Sequence, residues 1–298
     1  MDLSQRVLDL LDLPRGDQLA AVRALCAELD GASPDEDWNT RFGPTSLFDA
    51  WTRSSVVRGI YNANRAWLQR TLTPGFVALE LGGGDGRLWS GLSLPSGTLV
   101  VVDPEPASHA QVARSLPDSI TLTSIVGRVE DVLDQLPHAD AAVCSLTLHH
   151  VAGRDARERA AHGLSGPGKR EVLAALRERV RGPLVVNEAD VFCELSLPSG
   201  HPQLRDHLLD SYVRRCGRAL AHDLRRGDLT PDQAARTSAV LHRWCLNQVA
   251  MAEVPLADRD VYELDAERWL ELFPSAGWRV HDWAFTDPYR LFARYELV

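Results

Sequence analysis

The sequence predicts an α/β chain built on a mostly parallel sheet with helices on both faces, preceded by helices and interrupted late by more of them. Three observations carry that prediction. The stretch Val77-Ala78-Leu79-Glu80-Leu81-Gly82-Gly83-Gly84-Asp85-Gly86 reads as a buried strand running into a glycine-rich turn. After Pro74-Gly75, short apolar runs alternate with helix-like segments, whereas nothing strand-like precedes residue 75. A segment from about 196 to 262 is helical in pattern and falls outside that alternation.

In chain order, Val7, Leu8, Leu10 and Leu11, then Leu19, Val22, Leu25, Cys26 and Leu29, recur at helical spacing. Ser33-Pro34-Asp35-Glu36 has the cap, first-turn proline and acid of a helix start. A third stripe runs from Ser54 to Leu72 through Val56, Val57, Ile60, Tyr61, Asn64, Trp67 and Leu68. Asn64 breaks its apolar face and reads as a buried hydrogen-bonding amide, on a helix placed to roof a pocket. Strands are expected near 76–81, 98–102, 120–125, 140–145 and 183–188, with a helix opening at Arg87 to Leu92 after the glycine turn. Gly163 to Gly168 is a loop before a helix at Arg170 to Val180. Asp265 caps a further helix with a Leu264 to Trp269 staple, and Ala276-Gly277-Trp278 ends it before strands at 279–286 and 290–297.

Leu204, Leu208, Tyr212, Cys216 and Leu220 form one stripe of the late helical segment. Thr230-Pro231-Asp232-Gln233 opens a second helix with Val240, Leu241, Trp244, Cys245, Gln248 and Met251. An insertion after the fifth strand emerges at the carboxyl edge of the sheet, where ligands of α/β sheets bind. The organisation expected is a helical cap at 1–75, a core at 76–195, a helical lid at 196–262 and the end of the core at 263–298. The same helices would serve equally to pack on one another or to join two copies as a homodimer.

The 298 residues are 45% hydrophobic and 24% charged, enough for one large core. A net charge of −9 without a dense basic cluster argues against nucleic acid as a partner. Cys26, Cys144, Cys193, Cys216 and Cys245 lack paired or metal-ligand spacing and read as reduced core residues. No apolar run approaches the roughly 20 residues of a membrane span, and Asp2, Asp9 and Asp12 do not make a signal-peptide start. A cytoplasmic location without membrane partners is expected. Lys169 is the lone lysine among many arginines, a bias of GC-rich bacterial genomes.

The chemistry begins at Glu80. A carboxylate at the end of this strand repels a pyrophosphate, whereas it holds a ligand carrying an ammonium and a sulfonium. Seventeen residues after Gly86 the run Leu99-Val100-Val101-Val102 ends in Asp103, placed to accept both hydroxyls of a ribose. A dinucleotide-binding oxidoreductase is the alternative, but its fingerprint spaces the glycines as Gly-x-Gly-x-x-Gly, unlike Gly82, Gly84 and Gly86.

These residues resemble the class I S-adenosylmethionine-dependent methyltransferases, whose first motif matches Glu80 to Gly86. Gly127-Arg128-Val129-Glu130-Asp131-Val132-Leu133 looks like that family's adenine-contacting segment. Ala139 to His150, ending Ser145-Leu146-Thr147-Leu148-His149-His150, resembles the fourth strand and Leu-His-His loop of bacterial small-molecule members. The resemblance implies a Rossmann-like, seven-stranded, mostly parallel sheet closed by an antiparallel hairpin. It also implies S-adenosylmethionine as cofactor, held by Glu80, Gly82, Gly84, Gly86, Asp103, Pro104, Val129, Glu130 and Ser145. A catalytically idle member that only binds the cofactor is the competing reading.

Methyl transfer asks the protein to align an acceptor, exclude water and take a proton. His149 or His150, oriented by Glu188, is a suitable general base. No metal site is expected, because a catechol-type magnesium centre needs an aspartate where Ser145-Leu146-Thr147 stands. A small organic acceptor, phenolic or indolic by resemblance to natural-product enzymes, would be lined by Tyr61, Asn64, Asp190, Tyr212, Trp244 and Gln248.

Overall fold

The computed structural model describes residues 3–14, 17, 18, 20, 21, 24, 25, 51–151, 157, 167–191, 215, 217–226, 229–233, 236, 237 and 262–298. Helix α1 (Leu3–Leu11) and helix α2 (Ser55–Thr71) precede a single seven-stranded sheet. Its strands are β1 (Phe76–Leu81), β2 (Gly97–Asp103), β3 (Ile120–Val126), β4 (Ala141–Ser145), β5 (Leu184–Ala189), β6 (Val280–Phe285) and β7 (Phe292–Leu297). Helix α3 (Pro106–Ser115) follows β2, α4 (Pro167–Arg179) leads into β5, and α5 (Arg218–Arg225) and α6 (Ala266–Ser275) precede β6.

The strand order is β3-β2-β1-β4-β5-β7-β6. β1 to β5 pair in parallel, and β7 lies antiparallel between β5 and β6. The order reverses at β1, so the carboxyl ends of β1, β2 and β4 open a crevice of the kind that binds ligands. This is a Rossmann-like topology, with the expected closing hairpin in place.

Side-chain alternation splits the core in two. Leu79, Leu81, Cys144, Val186 and Tyr295 face α4 and α6 with Leu173, Leu176, Trp269 and Phe273. Ala78, Val101, Val143 and Val185 face α2, where they meet Trp67, Leu68, Trp89 and Val112. Burial on both faces explains why β5 is buried at every residue. Helix α2 lies directly on the β6–β7 turn at Gly59, where an added Cβ would stand 2.0 Å from the Thr286 carbonyl oxygen.

The helix expected at Arg87 to Leu92 does not form. Gly86, Trp89, Ser90 and Leu92 each donate their amide to the carbonyl three residues earlier, making consecutive turns. Gly91 then takes a left-handed φ of 70°. The physical reason is tertiary, because Arg65 of α2 donates to the carbonyl oxygens of Arg87 and Leu88, which a helix would need for itself. The Thr230 helix start is present as a reciprocal box, with Thr230 N bonded to Gln233 Oε1 and Gln233 N to Thr230 Oγ1. Asp265 accepts from Arg268 N as the cap of α6, and Gly277 at φ 85° ends that helix. The helix start at Ser33 and the stripe from Leu204 to Tyr212 lie outside the described residues, as does Val240 to Met251. No helix among the described residues is long and apolar enough to cross a membrane.

Candidate functional site

The glycine turn leaves β1 with Gly82, Gly84 and Gly86 all at positive φ, 77°, 53° and 70°. Two of these glycines make room for protein. A Cβ on Gly82 would lie 2.1 Å from Thr147 Oγ1, and one on Gly86 would lie 2.7 Å from Val112 Cα in α3. Asp85 turns back on itself, accepting from Arg87 N and pairing with the Arg87 guanidinium at 3.0 Å.

Two acids stand beside this turn. Glu80 is 4% exposed and its Oε2 accepts Trp89 Nε1 at 2.7 Å. Burial pushes its pKa up to about 8, against the pull of that hydrogen bond. Asp103 ends β2 and accepts from Glu105 N, Ser108 Oγ and, more loosely at 3.3 Å, Gly84 N. Pro104 beside it is exposed. Val129, 6% exposed, opens a short 3-10 turn, and Glu130 is held at 3.0 Å by Arg128. Arg128 also reaches the His150 carbonyl, so it ties this segment to the loop after β4.

That loop starts at Leu146, whose φ of 54° is left-handed and held by a bond from its amide to the Asn187 carbonyl. Glu188, at the end of β5 and 1% exposed, fixes the next three residues. Its Oε1 accepts from Thr147 N at 3.0 Å and Leu148 N at 2.7 Å, and its Oε2 meets His149 Nδ1 at 2.7 Å. Burial opposes charge on His149, yet the Glu188 carboxylate outweighs it and the imidazole pKa goes up. His149 Nε2 lies 3.1 Å from Nε2 of the exposed His150. Behind the loop, Tyr262 N donates to the His149 carbonyl, and buried Lys169 donates from Nζ to the Val151 carbonyl. Burial raises Glu263 to about 7 in the same neighbourhood.

On the opposite face of the sheet, Asn64 of α2 is fully buried and donates to Ser145 Oγ. Tyr61, one turn earlier, is half-buried, and burial raises its pKa well above that of a free phenol. Asp190 spends one carboxylate oxygen on Ala266 N and the other on Arg215. Tyr212, Trp244 and Gln248 lie outside the described residues. A separate cavity of about 380 Å³ between Ser55, His222, Asp223, Arg225, Arg226 and Tyr289 contains none of the sequence-predicted residues. Sequence reasoning missed Trp89, Arg65, Glu263 and Arg294. Trp89 alone carried a local signal, as an aromatic a few residues beyond a buried acid.

The family model described as the methyltransferase domain matches residues 79–167. No curated protein matches the chain. Among solved structures, the chain is similar to magnesium protoporphyrin IX methyltransferase from Synechocystis PCC 6803 with bound SAH. The two are 14% identical over 84% of this chain and 93% of that one, with a TM-score of 0.46. It is also similar to a protein from Bordetella parapertussis described as possibly exported, at 16% identity, 99% and 86% coverage and a TM-score of 0.48. A third similar structure is N,N-8-amino-8-demethyl-D-riboflavin dimethyltransferase from Streptomyces davawensis, at 16% identity, 84% and 56% coverage and a TM-score of 0.41. At that level of likeness none of them says what this chain acts on.

S-adenosylmethionine is the cofactor that the sequence resemblance implies, and the donor set fits it. Two carboxyls at adjoining strand ends, with a left-handed glycine turn between them, suit hydroxyl and ammonium groups. A pyrophosphate would meet Glu80, Asp85 and Asp103 instead of the donors it needs.

Proposed function

We propose that the chain transfers a methyl group from S-adenosylmethionine to a small aromatic acceptor, phenolic or indolic, without a metal ion and with His149 and Glu188 assisting deprotonation. The observation that carries this reading is the 2.7 Å contact between His149 Nδ1 and Glu188 Oε2 at the carboxyl edge of the sheet. Glu80, Asp103, Glu130 and the glycine turn would hold the cofactor, which supplies the methyl group as an activated electrophile. The chain's own residues then have to position the acceptor and receive its proton.

Ionised Glu188 only accepts hydrogen bonds, so Nδ1 of His149 carries its proton and Nε2 is the basic nitrogen. The 3.1 Å contact between the two Nε2 atoms requires a proton between them, donated by His150, so His150 turns away before His149 Nε2 accepts a proton from the acceptor. Half-buried His149 then takes the acceptor's proton and gives it up to water beside the exposed His150. Ser145-Leu146-Thr147 offers no carboxylate beside Asn187 and Glu188, which supports the metal-independent route. The half-buried ring of Tyr61 supports an aromatic acceptor beneath α2. Asp190 acts in this reading by fixing the end of β5.

Calorimetric titration with S-adenosylmethionine, S-adenosylhomocysteine, NAD and NADP tests the cofactor, and S-adenosylhomocysteine release over a panel of phenols and indoles tests the acceptor. Binding of the two adenosyl compounds alone is expected. Binding of a dinucleotide instead would overturn the reading. His149→Ala and Glu188→Ala are each expected to lower turnover by about 10²-fold or more while leaving cofactor affinity unchanged. An unchanged rate in both removes the proposed base.

A further inference from the structure

Ser145, Asn187 and Arg294 stand in one row across β4, β5 and β7, because Ser145 registers with Asn187 and Asn187 with Arg294. Asn64 of α2 reaches this row from the helix that covers it. Arg294 Nε donates to Asn64 Oδ1 at 3.3 Å, which fixes the amide so that its Nδ2 faces Ser145. Asn64 Nδ2 then donates to Ser145 Oγ at 3.1 Å, and Asn187 Nδ2 donates to the same oxygen at 3.0 Å. A serine hydroxyl has two lone pairs and one proton. With the Asn187 amide in this orientation both lone pairs are used, and the proton points away from the two amides. Next to it, Asn187 Oδ1 is buried without a hydrogen-bond partner. The row is therefore incomplete as protein alone, and half-buried Ser145 is its open end.

We infer that Ser145 donates its hydroxyl proton to an anionic oxygen of the ligand at the carboxyl end of β4, and that Arg294, through Asn64, is the positioning residue that polarises this donor. The three donors point the same way, from guanidinium to amide to hydroxyl. Each bond strengthens the next, and the positive charge of a side chain only 12% exposed is felt at Ser145 without entering the site. The anionic oxygen belongs either to the amino-acid end of the cofactor or to an ionised acceptor, and this assignment rests on the methyltransferase reading.

Three probes separate the sources: S-adenosylhomocysteine, 5′-methylthioadenosine, which lacks the amino-acid end, and 4-nitrophenolate added with S-adenosylhomocysteine present. Ser145→Ala is expected to weaken one anionic probe about tenfold, the scale of one hydrogen bond to a charged group, while methylthioadenosine binds as in the wild type. Loss on S-adenosylhomocysteine assigns the bond to the cofactor. Loss on nitrophenolate alone, with its absorbance shifting back toward the neutral phenol, assigns it to the acceptor. Arg294→Met is expected to reproduce the selective loss and Arg294→Lys to recover part of it. Asn64→Ala, which leaves Arg294 beside Glu296, interrupts the relay at a second point. Equal binding of all three probes by Ser145→Ala and wild type overturns the inference, as does a loss in the Arg294 and Asn64 variants that extends to methylthioadenosine. A wild-type chain that binds no adenosyl compound overturns the methyltransferase reading before any variant is made.

Discussion

Glu80 is protonated at neutral pH before any ligand arrives, since burial raises it to about 8. Its neutral form is the one the fold prefers. Its contribution to stability is full below the unfolded value of 4.5 and is lost as pH rises through about 8. A cation placed beside the carboxyl favours its ionised form. Binding of S-adenosylmethionine is therefore expected to release a proton near neutral pH and to tighten as pH rises toward 8. Calorimetry in two buffers of different ionisation heat measures that proton, and a buffer-independent heat would contradict it. His149 shifts in the same direction for a different reason. Its pKa rises above 6.5 because the Glu188 carboxylate outweighs burial, so its stabilising contribution is complete below 6.5 and is lost as pH rises through the folded value. The base form, and with it the ascending limb of turnover, lies above 6.5. Glu188→Gln is expected to move the His149 titration to lower pH, as followed by imidazole NMR, because burial and Lys169 are then opposed only by the weaker pull of Glu263.

Helix α2 does more than cover the sheet. It carries Asn64 over Ser145, Arg65 over the turns after the glycine motif, and Gly59 against the β6–β7 turn. Gly59→Ala would place a methyl group 2.0 Å from the Thr286 oxygen and lift the helix from the hairpin. We expect a loss of about 1–3 kcal/mol in urea denaturation, the scale of overpacking, together with weaker cofactor binding as Arg65 leaves its carbonyls. A stable variant with unchanged binding would show that α2 is not held there. The strands were legible because runs such as Leu99 to Val102 and Leu184 to Val186 are apolar on both faces, as a covered parallel sheet requires. His149 and Glu188 were also legible as a pair, since the fourth and fifth strands adjoin in the sheet that the resemblance implies. The missing helix at Arg87 to Leu92 was not, because a side chain 22 residues earlier decides it. Arg294, which lies 230 residues from Asn64, leaves no local pattern that spacing could detect.

At the scale of the whole molecule, the carboxyl end of β5 is joined to Arg215, α6 and the β6–β7 turn, and Asp190 makes that join. Its amide donates to the Leu291 carbonyl in the β6–β7 turn. One carboxylate oxygen accepts Ala266 N at the start of α6, and the other holds Arg215 at 3.0 Å just before α5. Arg215 in turn donates to the Arg290 carbonyl, which closes a ring from β5 through Arg215 to the hairpin. α5 packs on α1 and α2, so the chain before the sheet depends on the same ring. Asp190→Asn keeps one acceptor for Ala266 N but removes the charge that holds Arg215. It is expected to raise amide exchange in 217–226 while leaving β1, β4 and β5 protected. Asp190→Ala also leaves Ala266 N at the start of α6 without its acceptor and should cost about 1–3 kcal/mol. If exchange rises equally through the parallel strands, α5 and the sheet open as one cooperative unit, and Asp190 is a core residue, not the hinge pin that its contacts describe.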